Sequence, residues 1–110
     1  MKILIAGAGV VGTHLAKLLS RENHDIVLVD TNEERLANVE NNFDIMTMNA
    51  SPTSIATLKE AGAGNADLVV GVMEEESRNM TCCMLASKLG AKKTVARVDS
   101  YEYIAPEHKD

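Results

Sequence analysis

A chain of 110 residues, 45% hydrophobic and 25% charged, has room for one domain with one core, and its composition is that of an ordinary globular protein. With 11 Lys+Arg against 16 Asp+Glu the net charge is −5, which excludes a nucleic-acid backbone or an anionic membrane as the main partner, because both demand a basic surface. The apolar residues are aliphatic (no Trp, one Phe, two Tyr), so the core is predicted to be Ile, Leu, Val, Ala and Met.

The apolar run at the N-terminus is too short for a signal segment or a membrane span, which sets the expectation of a cytoplasmic protein. Ile3 to Ala6 reads as a buried strand bounded by glycine. A helix is predicted from Val11 to Arg21, with Val11, Leu15, Leu18 and Leu19 on its inner side. Asp25 to Asp30, with its Ile-Val-Leu-Val run, is a second strand. Thr31 or Asn32 then caps a helix carrying Leu36 and Val39, with Glu33 and Glu34 in its first turn.

Asp44 to Met48 is predicted as the third strand. Ser51-Pro52 signals a helix from about Pro52 to Ala61, stopped by Gly62 and Gly64. Ala66 to Val72 is the fourth strand. A helix from Glu75 to Leu89 follows, with Met80, Cys83, Met84 and Leu89 facing inward and Gly90 as its stop. Lys93 to Val98 is the fifth strand, and beyond Ser100 the pattern weakens into an acidic tail with Tyr101, Tyr103 and Pro106. Strands buried on both faces and separated by helices predict an α/β fold: one doubly wound parallel sheet in the order 3-2-1-4-5, spanning residues 1–110 as a single domain.

Gly7-Ala8-Gly9-Val10-Val11-Gly12 is a GxGxxG loop in its full context, directly after a strand and opening a helix. Gly7 permits the tight turn, Gly9 lets a pyrophosphate approach the backbone, and Gly12 lets helix and strand pack closely. Ala8, Val10 and Val11 carry no charge, so backbone N–H groups and the helix dipole must hold the anion. Asp30 ends the second strand, 18 residues after Gly12, where its carboxylate can accept both hydroxyls of an adenosine ribose. A 2′-phosphate would meet a like charge there, and Thr31 and Asn32 supply no arginine, so NAD is expected over NADP. The alternative is that the glycines only shape a turn and Asp30 only caps a helix.

Other candidates stand at successive strand ends. Ala50 and Ser51 can line the adenine, unless Ser51 is only a helix cap. Met73 and Glu74 stand where a second ribose or phosphate would lie, unless they belong to a solvated acidic turn. Arg97, a charge between Ala96 and Val98, needs a phosphate or a carboxylate as partner. Neighbouring Cys82 and Cys83 point about 100° apart on a helix, so they are read as small buried hydrophobes rather than a disulfide. No metal spacing is present, and His14, His24 and His108 pair with no nucleophile.

The stretches Met1 to Gly12, His24 to Asp30, Leu58-Lys59-Glu60-Ala61-Gly62-Ala63 with Asn65-Ala66-Asp67, Glu76 to Met80 and Val95-Ala96-Arg97-Val98 together carry a resemblance. Over nearly its whole length the chain resembles the N-terminal domain (RCK or KTN, TrkA-N) of Trk-type potassium-uptake regulatory subunits. The resemblance implies a cytosolic regulator of a membrane potassium transporter or channel. It implies NAD(H) or ATP, ADP or AMP at the glycine loop, and assembly as a homodimer or larger ring. It also implies attachment to the inner face of the membrane through an integral potassium-translocating subunit. The family's nucleotide contacts fall here on Gly7 to Val11, Asp30, Ala50, Ser51, Met73, Glu74 and Arg97. Where many members have Gly and Asp this chain has Ala50 and Ser51, and where many have Thr it has Met73, which removes a hydroxyl donor. Members continue into a sixth strand and often a second ligand domain, so a fragment of a longer chain is one expectation. Two other functions stay open: the cofactor half of an NAD-dependent oxidoreductase, and a subunit that binds nucleotide only for structure. No residue is assigned a catalytic role.

Overall fold

The computed structural model describes residues 1–40 and 44–99. Five strands, β1 (Lys2–Ala6), β2 (Asp25–Asp30), β3 (Met46–Asn49), β4 (Leu68–Gly71) and β5 (Thr94–Ala96), form one sheet in the order β3-β2-β1-β4-β5. Every pairing is parallel. Helices α1 (Val10–Ser20), α2 (Glu33–Glu40), α3 (Ile55–Glu60) and α4 (Glu76–Leu89) make the crossovers, with a single 3-10 turn at Ala63–Asn65. This is the doubly wound architecture that the alternation of strands and helices requires.

Side chains on β1 alternate between the two faces. Ile3 and Ile5 join Ala16, Ile26, Leu28, Leu36 and Val39 on one side, and Leu4 and Ala6 join Val29, Leu58, Val69, Cys82 and Ala86 on the other. Each large aliphatic side chain taken fully out of water contributes about 1.5–3 kcal/mol. The register aligns Ala6 with Val29 and with Gly71, and Asp30 with Asn49. Gly7, Asp30 and Val72 therefore arrive together at the C-terminal edge of the sheet.

Several expected elements shift. In α1 the buried positions are Gly12 and Ala16, with Leu15 and Leu19 packed partly against the core, while Val11 and Leu18 are largely exposed. The helix lies so close to β1 that only small residues fit at the point of contact. In α4 the inward stripe is Asn79, Cys82, Cys83 and Ala86. Met80 and Met84 are 43% and 54% exposed, one helical position away from it. The polar Asn79 lies on the buried stripe because the loop before the helix needs it, which turns the two methionines outward. Helix α3 starts at Ile55 with Ser54 as its cap, accepting from the Thr57 N–H at 3.3 Å, and Pro52 is buried in the preceding loop. β3 begins at Met46 rather than Asp44, and β4 and β5 are shorter at both ends than their apolar runs. Asn32 caps α2 by accepting the Arg35 N–H at 3.1 Å, and Leu36 and Val39 are buried as expected. Cys82 and Cys83 are both free and buried. The tail beyond Asp99 lies outside the described residues.

Candidate functional site

At the end of β1 the chain turns sharply, and Gly7 sits at φ +113°, a conformation side chains rarely adopt. A Cβ there would stand 3.0 Å from the backbone of Val72 and Met73. A Cβ on Gly12 would overlap the Gly7 carbonyl oxygen. Both glycines are therefore demanded by the fold. Gly9 is different. Its φ of −76° and ψ of −163° suit any residue, and a Cβ there would find nothing nearer than the Arg35 guanidinium at 3.9 Å. Among the described residues nothing requires glycine at this position.

Gly9 is also the N-cap of α1, and no side chain caps that helix. The Thr13 N–H is the first to close a helical bond, onto the Gly9 carbonyl at 3.0 Å. The amides of Gly9, Val10, Val11 and Gly12 thus belong to the first turn, which has no intrahelical acceptors, and they present partial positive charge outward. Val10 is 89% exposed.

Asp30 is buried and holds the loop in shape. One carboxylate oxygen accepts the Ala8 N–H and the other the Asn32 N–H, each at 2.7 Å. A carboxylate has about four lone-pair sites, so each oxygen keeps one for a further donor such as a ribose hydroxyl.

A cleft of about 250 Å³ opens over this edge. Gly7, Gly9 and Asp30 line it, together with Pro52, Val72, Met73 and Glu74. Two arginines line it from opposite sides: Arg35 from the first turn of α2 and Arg78 from the first turn of α4. Arg35 makes an ion pair with Glu74 at 3.8 Å, and Arg78 makes none among the described residues. A second hollow of about 490 Å³ runs beside α1, past Val10, Thr13 and His14, and shares Gly9, Arg35 and Glu74 with the first.

Of the residues singled out in the sequence, the cleft brings together Gly7, Gly9, Asp30, Met73 and Glu74, with Val10 and Ala8 on the second hollow. Gly12 is buried beneath the loop, and Val11 is exposed beside it. Ala50 and Ser51 do not line the cleft. The Ala50 N–H bonds the Asp30 carbonyl, and the Ser51 hydroxyl pairs with that of Thr53 at 3.0 Å. Arg97 also stands away from it: the guanidinium bonds Asp99 at 3.2 Å, and the backbone N–H bonds the Gly71 carbonyl.

Sequence reasoning passed over three residues. Arg35 was legible as a cation in the first turn of α2, three positions after the Asn32 cap, where helical side chains lean back toward the N-terminus. Arg78 holds the matching place on α4. Asn79 is fully buried, accepts the Met73 N–H at 2.6 Å, and donates to the Met73 and Arg97 carbonyls at 2.9 and 3.0 Å. It ties the β4–α4 loop to the strand end beside it. An asparagine between Arg78 and Met80 gave little sign of this.

Away from this edge, Asp67 accepts the Lys2 backbone N–H at 2.8 Å and pairs with Lys92 at 3.3 Å. Those two contacts, the backbone bond foremost, hold its carboxyl below the ordinary carboxylate range. Burial, with Cys83 beside it, pushes the Cys82 thiol from 9.0 up to about 12. Burial also raises Cys83, against hydrogen bonding to the Gly71 and Val95 backbone. Among the described residues no cluster of metal-ligating side chains forms, and no helix is long and apolar enough to cross a membrane.

Comparison with known proteins fits this geometry. The chain is 42% identical over 106 residues to the Trk system potassium uptake protein TrkA of Vibrio alginolyticus, covering 96% of this chain and 23% of that protein. Its fold superposes on the GsuK channel with a TM-score of 0.76 at 20% identity, covering 94% of this chain and 19% of that one. It also superposes on the Kef C-terminal domain of Shewanella denitrificans in its AMP-bound form, with a TM-score of 0.71 at 21% identity, covering 86% and 56%. The chain thus spans about a quarter of the curated relative's length. The model of the TrkA-N domain family matches residues 3–108, and the chain belongs to that family.

Proposed function

We propose that this chain is a cytosolic sensor of NAD(H) or adenine nucleotides that regulates a membrane potassium transporter or channel. The observation that carries the binding step is Gly9. Its backbone is ordinary and the space above it open, so its missing side chain serves what approaches the unsatisfied amides of α1. Asp30 beside it keeps acceptor capacity for a ribose, and its charge favours an unphosphorylated 2′ position, hence NAD(H) over NADP(H). ATP, ADP and AMP offer the same ribose and phosphate to the same edge.

The regulatory step rests on membership of the TrkA-N family and on the potassium-uptake relative. A ligand regulates only by binding two states unequally. In our reading those states are arrangements of a homodimer or larger ring, coupled to an integral potassium-translocating subunit at the inner face of the membrane. Hydride transfer fits less well, because among the described residues no Lys, His, Cys or Tyr lines the cleft over the sheet to act as proton donor, and His14 and Lys17 line only the hollow beside α1.

Thermal melting with each of NAD+, NADH, ATP, ADP and AMP tests the reading. A ligand at 100 times its dissociation constant adds about 2.7 kcal/mol to stability, a plain rise in midpoint. No rise with any of the five at millimolar concentration would remove the sensor.

A further inference from the structure

We propose that Arg35 holds a bound ligand's phosphate over the glycine loop and that Glu74 is its built-in competitor, so that an anionic ligand enters by taking Arg35 from Glu74. This inference rests on the nucleotide reading above and specifies how the site selects for charge.

The loop itself supplies only apolar side chains. The nearest cation is Arg35, whose Nη1 stands 3.9 Å from the place a Gly9 Cβ would occupy. That is directly above the backbone where a phosphate would settle. Its Nη2 meets the Glu74 carboxylate at 3.8 Å, the long end of ion-pair range, with the two side chains 45% and 87% exposed. Exposed pairs of this kind are weak and screened by salt. A phosphate offers the guanidinium a forked, charge-assisted pair instead. The Glu74 carboxylate thus fills, loosely, the place of an anion beside Arg35.

Both backbones are fixed. Asn32 caps the turn that carries Arg35, and Asn79 clamps Met73 next to Glu74. Exchange therefore needs only side-chain rotation. Arg35, Glu74 and Gly9 line both the cleft over the sheet and the hollow beside α1, so the ion pair stands as a bar between the two. A ligand phosphate that displaces Glu74 opens one space into the other.

The test is calorimetric titration of ADP into the full chain, R35Q, E74Q and the double variant, with a thermal melt of each to confirm folding. Both side chains are exposed, so the substitutions leave the fold standing. Arg35→Gln is expected to weaken ADP about tenfold or more, and Glu74→Gln to tighten it about three- to tenfold by removing a competitor and a like charge. The gain from E74Q disappears in the double variant. If wild type binds ADP and R35Q binds it equally well, the inference falls while the nucleotide reading stands. A loss in R35Q without a gain in E74Q overturns the competitor role. If ADP fails to bind wild type the inference falls, and if NAD+, NADH, ATP and AMP fail as well the nucleotide reading falls with it.

Discussion

The carboxylate of Asp30 accepts the Ala8 amide at 2.7 Å, joining the end of β2 to the turn after β1. The acid proposed to receive a ribose is therefore also a brace for the glycine loop. Asp30→Ala leaves the buried Ala8 N–H without its acceptor, which costs about 1–3 kcal/mol. A urea melt is expected to show that loss with the native circular dichroism retained, alongside weakened nucleotide binding. Undiminished stability would mean that the bond does not brace the loop.

The three glycines of the loop separate by substitution. Gly9→Ala should leave stability within about 0.5 kcal/mol of wild type, as for a surface change with compatible backbone. Gly12→Ala should fail to fold or lose more than about 3 kcal/mol, because its Cβ meets the Gly7 carbonyl. Thermal melts of the two variants would contradict this if they moved together.

Asn79 is the buried polar clamp of the β4–α4 loop. Asn79→Ala strands the Met73 N–H and two carbonyls, a loss of about 3 kcal/mol. Chemical denaturation measures it. Hydrogen exchange at Met73, which has Asn79 as its acceptor, should quicken in the same variant.

The thiols set an alkaline limit. A thiol raised on folding stays protonated in the native state while the unfolded state ionises, so stability is full below the unfolded value and is lost as pH rises toward the folded one. For Cys82 that window runs from 9.0 to about 12. Denaturant midpoints should be flat across pH 7 to 8.5 and fall above 9, with a shallower fall in Cys82→Ala. An identical alkaline slope in that variant would assign the loss elsewhere.

Strand order, the loop and Asp30 were readable from sequence because each follows from local pattern: short β-branched runs, glycine spacing, and an acid at a strand end. What escaped depends on packing across elements. Of the inward stripe expected for α4 (Met80, Cys83, Met84 and Leu89), Cys83 is buried and Leu89 packs on the core, but Met80 and Met84 are exposed, because the demand of the Met73 backbone for a partner puts Asn79 inside. Arg35 and Glu74 are separated by 39 positions and meet only because the sheet order sets α2 and the β4–α4 loop on the two sides of β1. Arg97 was identified as a charge in need of a partner, and Asp99 two residues on supplies one.

The central claim is that the open backbone at Gly9 exists to receive a nucleotide phosphate. Calorimetric titration of NADH and ADP into wild type and Gly9→Ala tests it most directly, because the substitution adds one methyl group to an otherwise compatible backbone. The account predicts binding tighter than about millimolar to wild type and a loss of about tenfold or more in the variant, which is about 1.4 kcal/mol. Equal affinity in both proteins, with both folded, would contradict it.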